Sequence, residues 1–381
     1  MQYRPIGATG LSASVVGLGT EHLDKKPYPV VEEVIGAAIE RGINILDLFM
    51  PGDEVRKNIG KALAGNREKM IIQGHIGSTD LREQYDMSRD LETCKQYFDK
   101  LLTHLGTDYI DCGMLFFLDS DEDIDAMFDN GVVAHAQDLK RQGVIRAIGA
   151  SAHNPATARR VVESGVVDLI MFSINPAFDL MSGASDIAAM LGDEFAGLAS
   201  SLDPARMELY RLCESRNVGI TVMKAMGAGK LLSAEHSPFA QAMTPVQCIH
   251  YALTRPAVAS TLVGCRNEAE VREAASYCAA GDEEKDYARA MTSVKRDFRG
   301  SCVYCNHCLP CPAEITIGTV NKYLDIAALD PAAVPPSIAQ HYRELPRHGS
   351  DCIECGSCQE RCPFGVPVIG NMKRAAEIFG K

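Results

Sequence analysis

A chain of 381 residues is too long for one small core and suits one large domain with a smaller one beside it. With 46% apolar and 23% charged residues it has the balance of an ordinary soluble globular protein, and a net charge of −12 argues against nucleic acid or anionic lipid as a partner. No basic-then-apolar leader opens the sequence, and no uncharged apolar run approaches the roughly 18 residues of a spanning helix, so a cytoplasmic location away from membranes is expected.

The first stretch, YRPIGATGLSASVV, reads as a hairpin placed ahead of the first strand. From there to about residue 280, short apolar runs alternate with segments of helical period. The runs are VVGL (15–18), INILDLF (43–49), MIIQ (70–73), YIDCGMLFFL (109–118), VIRAIGA (144–150), VVDLIMFSI (166–174), VGITVMK (218–224) and VASTLVG (258–264). Between them, the segment from Ser88 sets Leu91, Cys94, Phe98, Leu101, Leu102 and Leu105 on one face and stops at Gly106. Asn154-Pro155, Asp203-Pro204 and Thr244-Pro245 each read as a cap followed by a first-turn proline. Gly65, Gly143 and Gly165 sit where helices should end.

Continuous apolar strands separated by helices imply a parallel sheet covered on both faces. Eight such units match a closed α/β fold, the (β/α)8 TIM barrel, better than an open sheet, and no GxGxxG follows the first strand. The expected division is a barrel over 1–281, a charged connecting helix over 282–299, and a small α-helical ferredoxin-like domain over 300–381.

That last region holds eight of the fourteen cysteines; the six scattered ones read as small core residues. CVYCNHCLPCP (302–312) and CIECGSCQERCPFGV (352–366) each end in Cys-Pro, and the second has the C-x2-C-x2-C-x3-C-P spacing of a [4Fe–4S] ferredoxin. Where two clusters are present, the cysteine before proline ligates the other one. This assigns Cys302, Cys305, Cys308 and Cys362 to one cluster, and Cys352, Cys355, Cys358 and Cys311 to a second. The first motif is one residue short before its Cys-Pro, and tetrahedral zinc is the alternative for four cysteines. His307, among the ligands, reads as a surface residue.

YRPIGATGLSASVVGLGT resembles the opening of aldo-keto reductases, as do RGINILD, LGTDYID, GVIRAIGAS and the late TLVGCRN. The paired cysteine motifs resemble the ferredoxin-bearing branch of that superfamily. The resemblance implies a barrel that binds NADP(H) and reduces carbonyls through an Asp, Tyr, Lys and His tetrad. Asp47 matches the family aspartate. Met50, Pro51 and Gly52 stand where the tyrosine is expected, His75 replaces the lysine, and Phe116 replaces the histidine. Ser151 survives from the Ser-Asn pair at the carboxamide, with Ala152 after it, while Met171 and Met223 replace an amide and a stacking tyrosine. On the retained side, KAMGAGKLL (224–232) resembles the loop over the pyrophosphate, with Lys224, Gly227 and Gly229, and Arg266 is placed for a 2′-phosphate.

Chemistry in such barrels sits at the C-terminal strand ends. There the sequence places Asp47 and His75 as the proton-handling pair, since a histidine ordinarily titrates near pH 6.5. Glu21, His22, Phe116, His153 and Asn175 are the candidates for contact with substrate. The structural alternative is that each polar residue only caps a loop. His22, Asp47, His75 and His153 could also converge as a two-His-one-carboxylate metal site. The function expected is reduction of a small organic substrate with electrons passed through the clusters, with a ferredoxin or flavoprotein as redox partner. A non-redox lyase or isomerase using Asp47 and His75, and a silent scaffold, are the alternatives.

Overall fold

A short apolar run bounded by turn residues buries both faces of a strand only when helices cover it, and eight such runs here do so. The computed structural model describes residues 1–81, 85–180, 203–239, 241–287, 308–328, 342–362 and 365–381, with residues 290, 300, 302, 334 and 339. It divides into two units, one of Met1–Asp80 and Met87–Lys295, the other of Leu81–Asp86 and Arg296–Lys381.

In the first unit, β1 (Tyr3–Pro5) and β2 (Ser12–Ser14) form an antiparallel hairpin. Eight barrel strands follow: β3 (Val16–Gly19), β4 (Ile45–Leu48), β5 (Ile71–Ile76), β6 (Ile110–Leu115), β7 (Ile145–Ala152), β8 (Leu169–Ser173), β9 (Gly219–Met223) and β10 (Val258–Gly264). They pair in parallel, in chain order, and close into a barrel between β10 and β3. Side chains two apart on a strand share a face. Ile45, Ile71, Cys112, Met114, Ala147, Leu169 and Met171 fill the interior, so the same parity brings Asp47, Gln73 and His75 inward. Ile6 and Ala13 of the hairpin join this interior cluster at the end where strands begin. Gly7 makes that possible: it adopts φ +48°, and a Cβ there would collide with the Asn217 carbonyl and the Gly219 amide.

The helix Leu91–Leu105 is capped by the Asp90 carboxylate, which accepts from Thr93 N at 2.8 Å, and ends at left-handed Gly106. It buries Cys94, Tyr97, Phe98, Leu101 and Leu105, while Leu102 turns partly outward. Asn154, Asp203 and Thr244 cap the helices Pro155–Glu163, Pro204–Ser215 and Pro245–Leu253. The connecting helix expected over 282–299 is helical at Asp282–Lys285 and then breaks. There Gln247 Nε2 donates to the Asp286 carbonyl at 2.6 Å and the Tyr287 ring packs edge-on to Tyr251. Ala290 is again helical, and residues 288, 289 and 291–299 lie outside the described residues. Among the described residues no helix is long and apolar enough to cross a membrane.

A buried ionic network ties three helices to the sheet. Asp179 Oδ1 accepts from Arg206 Nε and from the Tyr210 hydroxyl, both at 2.7 Å, and Asp179 Oδ2 accepts from the Tyr251 hydroxyl at 3.0 Å. Arg206 also donates to the Ser173 carbonyl at the end of β8. Arg206→Ala would leave the Asp179 carboxylate buried without its cation. The expected cost is about 3–5 kcal/mol, read as a lower urea midpoint. A loss below about 0.5 kcal/mol, the range of an ordinary surface change, would contradict a role for this network.

Cys94, Cys112, Cys213, Cys248 and Cys265 are buried, and burial pushes the Cys94 thiol up to about 11 and those of Cys213, Cys248 and Cys265 to about 12. The thiolate is the reactive form. Alkylation of the native chain at pH 8 should therefore leave all five unmodified by mass spectrometry until the barrel is unfolded.

Candidate active site

β4 and β5 run side by side, with Asp47 facing Gln73 across the pair. The Asp47 carbonyl is held by the Thr20 hydroxyl at 2.7 Å, which fixes the strand end. Its carboxylate Oδ1 lies 2.8 Å from His75 Nε2 and accepts from Gln73 Nε2 at 3.2 Å. A carboxylate accepts, so the shared hydrogen belongs to Nε2 and the other ring nitrogen is left for a different partner. Among the described residues His75 Nδ1 and Gln73 Oε1 have none. A buried polar atom without a partner is costly, and a bound molecule or water is the usual remedy.

The imidazole is not open to solvent, as a residue standing in an open mouth would be: its side chain has no exposed surface. Phe116, just past β6, meets it edge-on with centroids 5.2 Å apart, and Phe49 does the same at 6.2 Å. The two phenyl rings themselves lie near parallel at 6.3 Å. Burying both rings against the imidazole gains more than leaving them wet.

A second cluster stands at three other strand ends. His153 Nδ1 is 2.7 Å from Asp119 Oδ2, and His153 Nε2 is 2.9 Å from Lys224 Nζ. An ammonium only donates, so Nε2 accepts and the ring proton sits on Nδ1, toward Asp119. The carboxylate also accepts the backbone N–H groups of His153 and Asn154. The Phe117 ring packs at 5.5 Å from His153 and 5.7 Å from Phe116, so an aromatic wall runs from one histidine to the other.

The remaining expected residues fall in several places. Ser151 is buried, and its hydroxyl accepts from Phe117 N at 2.8 Å. Asn175 is fully buried and serves the backbone: its Nδ2 donates to the Lys224 carbonyl and its Oδ1 accepts from Phe178 N, both at 2.9 Å. Glu21 and His22 lie on the short helix Glu21–Leu23 after β3, with His22 against Gly264 at the end of β10. Gly227, Ala228 and Gly229 all take left-handed conformations in the turn Gly227–Leu232. Arg266 is exposed and lies 3.7 Å from Glu270. The four-residue metal site is corrected: His153 is bound to Asp119 and Lys224, not to Asp47, and His22 sits at β10. Among the described residues no three His, Cys, Asp or Glu side chains converge to hold a single ion.

Two participants are not singled out by the sequence. Gln73 lies two residues before His75, and strand parity alone is enough to place it inside. Asp119 sits in the acidic run LDSDED, which reads as a helix start; nothing local sets it apart.

In the second unit, Cys308, Cys311, Cys352, Cys355 and Cys358 line one hollow that is partly open to solvent. Burial, then the neighbouring Cys352, Cys355 and Cys311, push the Cys358 thiol up. Arg361, on the same hollow, donates from Nη2 to the carbonyls of Cys308 at 3.0 Å and Pro310 at 2.7 Å, joining the two cysteine motifs. Cys302 and Cys362 are partly buried against the same core, formed by Ile315, Ile317, Val320, Leu324, Val368 and Met372. Cys305 and His307 lie outside the described residues.

The chain is similar to YqkF, an uncharacterised oxidoreductase of Bacillus subtilis, at 30% identity over 176 residues. That match takes 45% of this chain and only 56% of the relative, a little over half its length. It is 25% identical over 292 residues to L-galactose dehydrogenase of Arabidopsis thaliana, covering 72% of this chain and 86% of that one. Among solved structures, the holo form of the aldo-keto reductase AKR11C1 of Bacillus halodurans aligns with a TM-score of 0.59 at 20% identity. That alignment covers 78% of this chain and 98% of AKR11C1, a likeness of fold. The model of the aldo/keto reductase family matches residues 15–247, more than half of the sequence, and the chain therefore belongs to that family of oxidoreductases.

Proposed function

We propose that the chain is an iron–sulfur oxidoreductase. It reduces a small organic substrate in the barrel mouth, at a C=O, at an activated C=C, or by reductive removal of a group, with electrons passed through two [4Fe–4S] clusters. The observation that carries this reading is the Asp47–His75 pair with its orphaned Nδ1 at the functional end of the barrel. Reduction of a carbonyl consumes two protons with its two electrons. His75 Nδ1 is the atom placed to hand one over, while Asp47 fixes the ring and offsets the charge of the imidazolium. Phe116 and Phe49 pack edge-on against the buried imidazole, so substrate entry would require a ring to swing aside.

The cysteine-lined hollow suits a polynuclear cluster. Cys352, Cys355, Cys358 and Cys311 would hold one, and Cys302, Cys305, Cys308 and Cys362 the other, and such groups carry electrons singly. NADP(H) would find the left-handed turn Gly227–Leu232 for its pyrophosphate and Arg266 for a 2′-phosphate, once the guanidinium leaves Glu270. Its nicotinamide would meet Met171 and Met223. A soluble one-electron carrier, a ferredoxin or flavoprotein, would then serve as partner, in a cytoplasmic setting poor in oxygen.

Anaerobically purified protein should contain about eight iron and eight sulfide atoms per chain, and Cys355→Ser should remove one cluster. Zinc without sulfide in these sites would overturn the iron–sulfur reading.

His75→Gln should lower turnover by about 10²–10⁴-fold with cluster content intact. The assay spans carbonyl and enoate compounds, with NADPH and reduced methyl viologen as parallel donors. Unchanged turnover would make His75 a packing residue. Turnover without any net redox change would point to the lyase or isomerase alternative.

A further inference from the structure

Lys224 meets His153 at one end of the aromatic wall, and its setting is built rather than incidental. It follows β9 directly and adopts φ +59°, a left-handed conformation that is strained for a non-glycine residue. Two hydrogen bonds hold it there: Asn175 Nδ2 and Gly227 N each donate to the Lys224 carbonyl at 2.9 Å. The strained backbone sends the side chain toward the loops after β6 and β7, where His153 Nε2 receives it. Asp119 is the counter-charge, but the imidazole stands between the two, so the ammonium is aimed without being neutralised by direct contact. Lys140 and Lys373, by contrast, pair directly with Asp168 and Glu354 at 2.5 and 2.9 Å. An ammonium has three donors. Among the described residues His153 is the only side chain that Lys224 Nζ meets, which leaves two for a ligand.

We propose that Lys224, positioned by His153 and Asp119, anchors a carboxylate of the substrate, so that the substrate is a small organic anion. The inference rests on the reading that the barrel mouth binds the substrate, and it adds the substrate's chemical class. The apolar body of such a molecule would lie along Phe117 and Phe116, which lead from His153 to His75. A dinucleotide phosphate would instead seek the main-chain N–H groups of the turn Gly227–Leu232. Lys224 Nζ is drawn away to the β6 and β7 loops.

Isothermal titration of the full chain at low salt with acetate, malonate, succinate, glutarate and their methyl esters tests this, with NADP+ titrated in parallel. At least one carboxylate should bind and its ester should not. Lys224→Met should weaken that carboxylate about 10–100-fold, the worth of one charge-assisted hydrogen bond, and Lys224→Arg should retain most of the affinity. His153→Gln, which keeps an acceptor for the ammonium, should bind nearly as well as the parent, whereas His153→Leu should not. NADP+ affinity should be the same in all four variants. The proposal fails if no carboxylate binds the parent chain, if Lys224→Met binds it equally well, or if Lys224→Met loses NADP+ instead. His75→Gln should keep carboxylate binding. If that variant also keeps full turnover, the chemistry assigned to His75 falls while the anchor stands.

Discussion

Closure of eight parallel strands forces every second side chain into one shared interior, and that interior has little room for polarity. Most inward positions obey: Ile45, Ile71, Cys112, Met114, Ala147 and Leu169 pack as an apolar column. Asp47, Gln73 and His75 break the rule on two adjacent strands, and each must find its partner inside. A buried carboxylate with no donor would cost several kcal/mol, so the imidazole and the amide are the condition under which Asp47 can stay. What they leave over, one ring nitrogen and one amide oxygen, is polarity that the apolar column cannot meet.

The two histidines at this end of the barrel are held in opposite senses. His75 gives Nε2 to a carboxylate and keeps Nδ1 for another partner; His153 gives Nδ1 to a carboxylate and offers Nε2 to a lysine. The first is sealed under phenyl rings, while the second is partly exposed. Proton transfer and charge recognition are different demands, and burial separates them here. The Asp179 network contributes to the same end of the molecule indirectly. It fixes the helix Pro176–Leu180, whose first turn carries the Asn175 contact that holds Lys224 in its strained conformation.

The second unit has a modest core in which Cys308 and Cys358 are buried, with Cys302, Cys311, Cys352 and Cys362 packed against it. Small units of this kind commonly need a metal or cross-link to offset chain entropy. The Arg361 bridge from one motif to the backbone of the other acts in that direction without any ligand, because it joins segments some fifty residues apart. The proposed clusters would add to the same constraint, with the sulfurs serving as core and ligands at once.

The periodic features are legible in the chain itself. All eight apolar runs form barrel strands, and Asn154, Asp203 and Thr244 cap their helices, since parity, caps and prolines act over a few residues. Asp47 and His75 are legible as neighbours because strand ends collect at one rim; the bond between them comes from packing. Local pattern does not tell that Phe116 and Phe49 close over the imidazole, that Asn175 serves the backbone, or that Asp119 selects His153. Nor does it show that Gln247 and Tyr251 meet Asp286 and Tyr287 where the helix breaks after Lys285. Those outcomes depend on loops from different strands meeting in space. The sequence determines which residues reach the rim, because period and spacing are properties of the chain; which of them touch is decided by packing between distant segments, which only the tertiary structure contains.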